Sequence, residues 1–308
     1  MILVSTGGRP RPPRLDYPEQ TTRMLWPSLK SRVHVVGAVL ALLFAGGVSA
    51  LNSPGSAGAG LTGSTNGNSL DHVVALSVTK PSSPGYRRAD IKVTLTEWLV
   101  APGFTARQLH DKLKAQGIQG LVDPDSHDLN RAIAASVPAG YPPEPSNGCT
   151  YGTASTFICP PIHWARNGFV NPRVYFHDMS SSAWPVGTAI TTWNQSARVA
   201  PRWVMTGCPI LAGSHCVWVN SSGYGASGWL GITYLSWDGN LNLIDGSVGI
   251  RFNDYYPSTH LAVTCHEVGH ALGMGHNGST SSCLRTSNPT ATTPTSGDFW
   301  VLDHMIYP

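Results

Sequence analysis

Apolar and polar residues alternate from residue 91 onward, with Ile91, Val93 and Leu95 on one side and Lys92, Thr94 and Thr96 on the other. That period of two predicts a half-buried strand over 91–99, and the apolar run 73–78 predicts a partner for it. The period then lengthens. Thr105 with Gln108 three residues on forms a capping box, Leu109 and Leu113 share a face, and Gly117 supplies a stop, so a helix is expected there. Leu129, Ile133 and Val137 at spacing four predict a second helix over 126–137, ended by Pro138. The stretch 140–161 is rich in Pro and Gly and marks a boundary.

Beyond the boundary the pattern predicts a strand over 173–176. A helix is expected over 184–199, with Pro185 near its start and Ile190, Trp193 and Ala197 on one side. Short strands are expected at 202–205, 216–220, 231–236 and 247–253, separated by Gly and Asn. Ser258 is placed to cap a last long helix whose Leu261, Cys265, Val268 and Leu272 form a core-facing stripe.

Composition narrows the class. Of 308 residues 12% are charged, against about 25% in a typical soluble domain, and the net charge is +3, with no basic run after Lys30. Charge-rich disorder, a coiled coil and a nucleic-acid partner are therefore not expected. Residues 35–48 are small or apolar, follow Lys30 and Arg32, and precede Ser49 and Ala50. Fourteen residues fall short of the about 20 needed to span a bilayer, so residues 1–50 are read as a signal-peptide region, with translation starting at Met24 and cleavage after Ala50. An uncleaved anchor, with the catalytic domain outside, is the alternative. Otherwise the protein is expected to be secreted, without stable membrane insertion, and monomeric.

Residues 51–70 read as a flexible linker, because 52–69 contain no charge, no aromatic and only one large aliphatic, Leu61. The remaining chain divides into a small α/β unit at 71–148, a boundary segment at 149–164 and a second unit at 165–308. Six cysteines in an exported chain imply disulfides. Nearest-neighbour pairing gives Cys149–Cys159, Cys208–Cys216 and Cys265–Cys283, one of 15 connectivities.

The chemistry lies in the last long helix and the turn after it. His266 and His270 are four apart, so both imidazoles leave one side of the helix and can share an ion. Glu267 lies about 100° round from His266, placed to take a proton from water at that ion. Gly273 lets the chain turn out of the helix and bring His276 back as third ligand. Three imidazoles and a water suit tetrahedral Zn²⁺ with an open, catalytic position. Composition alone would give these five positions at this spacing with a probability of roughly 2 × 10⁻⁵ over the chain.

His266 to His276 thereby matches HExxHxxGxxH, and the chain resembles the metzincin zinc endopeptidases. The order of elements over 165–308 looks most like the small secreted bacterial-type matrixins. The resemblance implies an α+β catalytic domain with a mixed sheet, an active-site helix and a C-terminal helix carrying Asp298, Leu302, Ile306 and Tyr307 beneath the site. It also implies His266, His270 and His276 as ligands of one catalytic Zn²⁺, Glu267 as general base, and a protein or peptide substrate. The family's methionine eight residues after the third histidine is replaced by Leu284, a swap of similar volume that should cost under about 1.5 kcal/mol.

Other features carry less. Asp238, Asn240, Asn242 and Asp245 alternate as a weak Ca²⁺ loop does, but an ordinary turn is the favoured reading. Neither Cys149 nor Cys159 sits in the family's inhibitory switch motif, although 71–148 can still act as a propeptide by covering the cleft. Arg87-Arg88 is read as a solvated basic pair, with a processing site as its rival. His163, Arg166, His177, His215, His260 and His304 are assigned no chemistry. The strand at 247–253 is expected to be the edge to which an extended substrate adds. Two alternatives stay open: a zinc hydrolase of a non-protein substrate, and an exported binding module with a vestigial zinc site.

Overall fold

The computed structural model describes residues 72–82, 87–125, 150–151, 155–157, 161–286 and 288–308. The signal-peptide region, the 51–70 linker, the helix expected over 126–137 and the Cys149–Cys159 pair lie outside the described residues. Ten strands and four α-helices are described. Strand β1 spans His72–Thr79 and β2 Lys92–Val100, and α1 is Ala106–Ala115. The short strands β3 (Thr150–Tyr151) and β4 (Ser155–Phe157) follow, then β5 (Arg173–Met179), α2 (Val186–Trp193) and β6 (Ala200–Val204). Strands β7 (His215–Ser222), β8 (Trp229–Asp238) and β9 (Gly249–Asn253) lead to α3 (His260–Ala271). The chain closes with β10 (Met274–Asn277), α4 (Ser296–Val301) and a π-helical turn, Leu302–Ile306.

Seven strands form one mixed sheet in the order β1-β2-β8-β9-β7-β5-β6. Strands β5, β6, β7 and β9 run parallel, whereas β8 is antiparallel to β9 and to β2, and β2 to β1. A second sheet of three strands has the order β10-β4-β3. The fold is thus α+β, and the described residues form one compact unit. Strands β1 and β2 do not build a sheet of their own, as a separate N-terminal unit would; they extend the sheet of the second half. The physical reason is visible in β2. Its Val93, Leu95 and Leu99 are buried and join the same core as Phe176, Ile250, Phe252 and Val268, an apolar face that a two-stranded hairpin could not cover by itself.

Strand β9 was expected at an edge and is instead interior, flanked by β7 and β8. Its burial pattern explains this, since Gly249, Ile250, Phe252 and Asn253 are all buried, and a run buried on both faces belongs inside a sheet. Helix α2 is shorter than the periodicity predicted. It ends at Trp193, because the Ser196 hydroxyl accepts the N–H groups of Arg198 and Val199 and turns the chain toward β6, the usual competition of serine with helical bonding. The capping box at Thr105 forms as its sequence predicted. Two of the expected disulfides are present, Cys208–Cys216 and Cys265–Cys283. Such bridges belong to an oxidising compartment, and among the described residues no helix is long and apolar enough to cross a membrane.

Around α3 the packing is tight. Every residue from Ala262 to Ala271 is buried, as expected of a helix enclosed on all sides. Trp193 of α2 donates its indole N–H to the Cys265 carbonyl at 2.9 Å, and Trp184 stacks on Phe252 with ring centroids 4.3 Å apart. Because β2 shares this core, truncating Leu95 should weaken the whole unit. We expect Leu95→Ala to lower stability by about 2–5 kcal/mol, with the fluorescence of the buried Trp164 and Trp193 shifting in the same single transition. A separate early transition that leaves those tryptophans unperturbed would contradict the shared core.

Candidate metal centre

Helix α3 starts one residue later than expected. Thr259, not Ser258, holds the N-cap position, and its carbonyl accepts the N–H groups of Ala262 and Val263. The Ser258 hydroxyl makes no hydrogen bond. At the other end the chain leaves the helix through Gly273 at φ +94°, the left-handed conformation its sequence position predicted. A side chain there would also meet the Ile162 carbonyl at 2.5 Å. The last carbonyls of the helix, which have no intrahelical partner, are taken by Trp164 Nε1 on Ala271 at 2.9 Å and by the Tyr307 hydroxyl on Leu272 at 3.0 Å. Both ends of the histidine-bearing segment are thereby fixed.

The structure brings His266, His270 and His276 together. Their side-chain nitrogens lie within 4.8 Å of one another, and all three residues are buried. His266 Nδ1 is bonded to the Cys283 carbonyl and His270 Nδ1 to the Met274 carbonyl, each at 2.9 Å. A carbonyl only accepts, so each Nδ1 carries its proton and each Nε2 presents a lone pair. Those two Nε2 atoms face one another at 2.9 Å. Two lone pairs at that separation repel unless a cation lies between them.

The loop below the helix supports this arrangement. The Cys265–Cys283 bridge joins the residue before His266 to the residue whose carbonyl orients it. Leu284 is fully buried, and a Cβ on Gly269 would come within 2.6 Å of its side chain. Leu284 thus fills the space directly under the turn between the two helical histidines. Asp298 of α4 is buried and accepts from Asn277 Nδ2 at 2.6 Å, Ser282 Oγ at 2.7 Å and the Thr295 N–H at 2.7 Å. It therefore ties the residue after His276 to the residue before Cys283.

Glu267 is buried beside the cluster, with Oε2 accepting from the Thr233 hydroxyl of β8 and Oε1 free of hydrogen bonds. Gly231 of β8 makes room for it, since a Cβ there would lie 2.4 Å from Oε1. Burial pushes the Glu267 carboxyl well above the usual carboxylate range; the Thr233 bond opposes this and the nearby Glu97 adds to it.

Sequence reasoning missed two residues. His72 of β1 and Glu97 of β2 form with His276 a second buried group whose ligand atoms lie within 4.8 Å. Glu97 Oε1 is 3.0 Å from His276 Nε2 and 3.5 Å from His72 Nε2, and Oε2 is 3.9 Å from His270 Nε2. The signal for Glu97 was present: the alternation Ile91, Val93, Leu95 continues to Glu97 and Leu99, which puts an acid on the apolar face of the strand.

Burial depresses the basicity of His72 to about 3, with His276 adding to the effect and Glu97 opposing it. Burial lowers His266 most, with His270 and His276 adding to it and Glu97 opposing; burial also lowers His270, where Glu97 opposes the effect more than His276 adds to it. Burial alone would raise Glu97, but the His270, His276 and His72 imidazoles outweigh it and hold the carboxyl well below the usual range.

Of the histidines assigned no chemistry, His215 has a structural role. His215 is bonded to Asp245 at 3.0 Å and to the Ala165 carbonyl at 2.7 Å. Asp238 Oδ1 accepts the N–H groups of Asn240 and Asn242. Two acids of the weak calcium pattern are thus engaged separately, one in a turn and one on His215. Compared with models of known protein families and with curated proteins, the chain finds no match.

Two substitutions test the geometry. Gly231→Ala should displace the Glu267 carboxylate and lower thermal stability, measurable by calorimetry; an unchanged melting temperature would mean that the carboxylate does not occupy this cradle. Asp298→Ala should weaken metal affinity by about 10–100-fold, read by competition with a chromogenic chelator, and unaltered affinity would remove Asp298 from the support of the site.

Proposed function

We propose that the chain is an exported, zinc-dependent endopeptidase of metzincin, matrixin-like type, with His266, His270 and His276 as zinc ligands and Glu267 as general base. The convergence of three buried imidazoles, two of them with Nε2 lone pairs forced into opposition, carries this reading. The Asp-free, all-imidazole set suits Zn²⁺ in a catalytic arrangement, and the two disulfides agree with export.

The chemistry zinc supplies in such a set is Lewis acidity, which brings the pKa of water near 7 and polarises a carbonyl. The protein supplies the rest. Glu267 Oε1, free of hydrogen bonds and lying against Gly231 of β8, accepts the proton from water and later delivers it to the leaving amine. Thr233 holds the other oxygen so that the carboxylate keeps one orientation. The Nδ1 bonds to Cys283 and Met274 keep the helical imidazoles in the ligating tautomer. No side-chain nucleophile is needed, and hydrolysis proceeds without a covalent enzyme intermediate.

A quenched-peptide pool incubated with the zinc-loaded protein is the test, before and after a proteolytic cut between residues 125 and 150 if the full chain is silent. We expect cleavage that a chelator abolishes and that falls by at least about 10³-fold in Glu267→Ala, a loss in the range of an essential proton-transfer group. Folded, zinc-loaded protein that cleaves no peptide would move the reading to a hydrolase of another substrate or to a binding module. Leu284→Met should alter turnover by less than tenfold, because the two side chains fill similar volumes. A larger gain would show that leucine leaves the site impaired.

A further inference from the structure

Strands β5 and β6 run parallel and are joined through α2. A cavity of about 600 Å³ opens at the carboxyl ends of the two strands, over the first turn of that helix. Parallel-stranded sheets take their ligands at this end, and the volume falls within the about 300–1,000 Å³ of small-molecule sites. None of His266, Glu267, His270 and His276 lines it. The floor is an indole. Trp203 of β6 is 46% exposed, although a ring of that size is mostly covered in folded proteins. Its Nε1 donates to Asp178 Oδ2 at 2.9 Å. A Cβ on Gly187 would lie 3.1–3.3 Å from its Cδ2, Cε2 and Cε3. Three ring atoms at nearly one distance mean that the indole lies flat across α2, where Gly187 makes room by having no side chain. One face is sealed and the other lines the cavity, fixed in place before a ligand arrives.

The walls carry hydroxyls and no unengaged charge. Ser182, Thr188 and Thr191 are exposed around the cavity. The Thr191 hydroxyl donates to the Gly187 carbonyl at 2.8 Å, which leaves its oxygen to accept. Asp178 is the one ionisable residue among those lining the cavity. Its Oδ1 accepts the Ser180 N–H at 3.0 Å and the Ser180 hydroxyl at 2.6 Å, and its Oδ2 accepts Trp203. A phosphate or sulfate would find no cation here, and an ammonium no free carboxylate. A flat apolar platform ringed by neutral hydroxyls matches a sugar ring, whose C–H face is apolar and whose edge carries donors and acceptors. A peptide strand fits less well. Strand β6 stands at the end of the sheet order, but it has five residues and its Pro201 lacks an N–H, so it offers only a short template.

We propose that this cavity binds a neutral saccharide, with Trp203 as the stacking platform and Ser182, Thr188 and Thr191 as the hydrogen-bonding rim. The site does not depend on the three histidines being metal ligands. It would give the chain a means of holding a glycan on the same folded unit as the metal centre.

Calorimetric titration of the full chain with cellotetraose, chitotetraose and mannotetraose tests this. We expect at least one of them to bind at one site per chain. Its affinity should fall at least tenfold in Trp203→Ala and at least threefold in Thr188→Val, which leaves the platform intact. Oxidation by N-bromosuccinimide, read by peptide mass spectrometry on the wild type, locates the site, because Trp203 and Trp218 are the exposed tryptophans among the described residues. Bound sugar should protect Trp203 and leave Trp218 reactive. Failure of all three sugars to bind at millimolar concentration would overturn the proposal, as would equal affinity in Trp203→Ala or protection of Trp218 instead. Tighter binding of a sulfated oligosaccharide, abolished by salt, would overturn it in favour of an electrostatic site. Protection of Trp203 by a peptide pool and by none of the sugars would assign the cavity to a peptide.

Discussion

The opposition of two imidazole lone pairs governs this structure. His266 and His270 each donate the Nδ1–H to a backbone carbonyl, which leaves Nε2 facing Nε2 at 2.9 Å in a buried pocket. A bound proton is disfavoured there, because burial lowers the basicity of both rings, whereas a metal cation would relieve the contact. Much of the surrounding architecture serves to hold the rings in this position: the disulfide at Cys265, the fill by Leu284 under Gly269, and the buried Asp298 that joins the two loops.

The same pocket bears on why the two halves of the chain share a sheet. Glu97 on β2 needs partners for its charge and finds them in His276, His72 and His270. The apolar residues on either side of Glu97 bring the strand onto β8 and into the common core. Electrostatics and hydrophobic burial thus favour the same register, and a slip of one residue would turn Glu97 to the other face.

How much of this was legible depended on the kind of signal. The ligand spacing from His266 to His276, the turn at Gly273, the capping box at Thr105 and two disulfides followed from short-range rules. The strands that flank the site were also predicted, but not their neighbours. Placing β9 inside the sheet required knowing what pairs with β8, which is a long-range fact. Glu97 was hidden for a related reason: its inward position can be counted from Ile91, yet its meaning depends on a helix some 170 residues later in the chain. Ser258 was misassigned because two candidate caps, Ser258 and Thr259, stand side by side, and the backbone chose the second.

The central claim is that the three histidines form a metal site. X-ray absorption at the zinc edge, on full-length protein purified with zinc and dialysed, tests it directly. The account gives one zinc per chain, bound by three imidazoles and one oxygen donor, at distances of about 2.0–2.1 Å. Substoichiometric zinc, or a shell with fewer than three imidazoles, would contradict it.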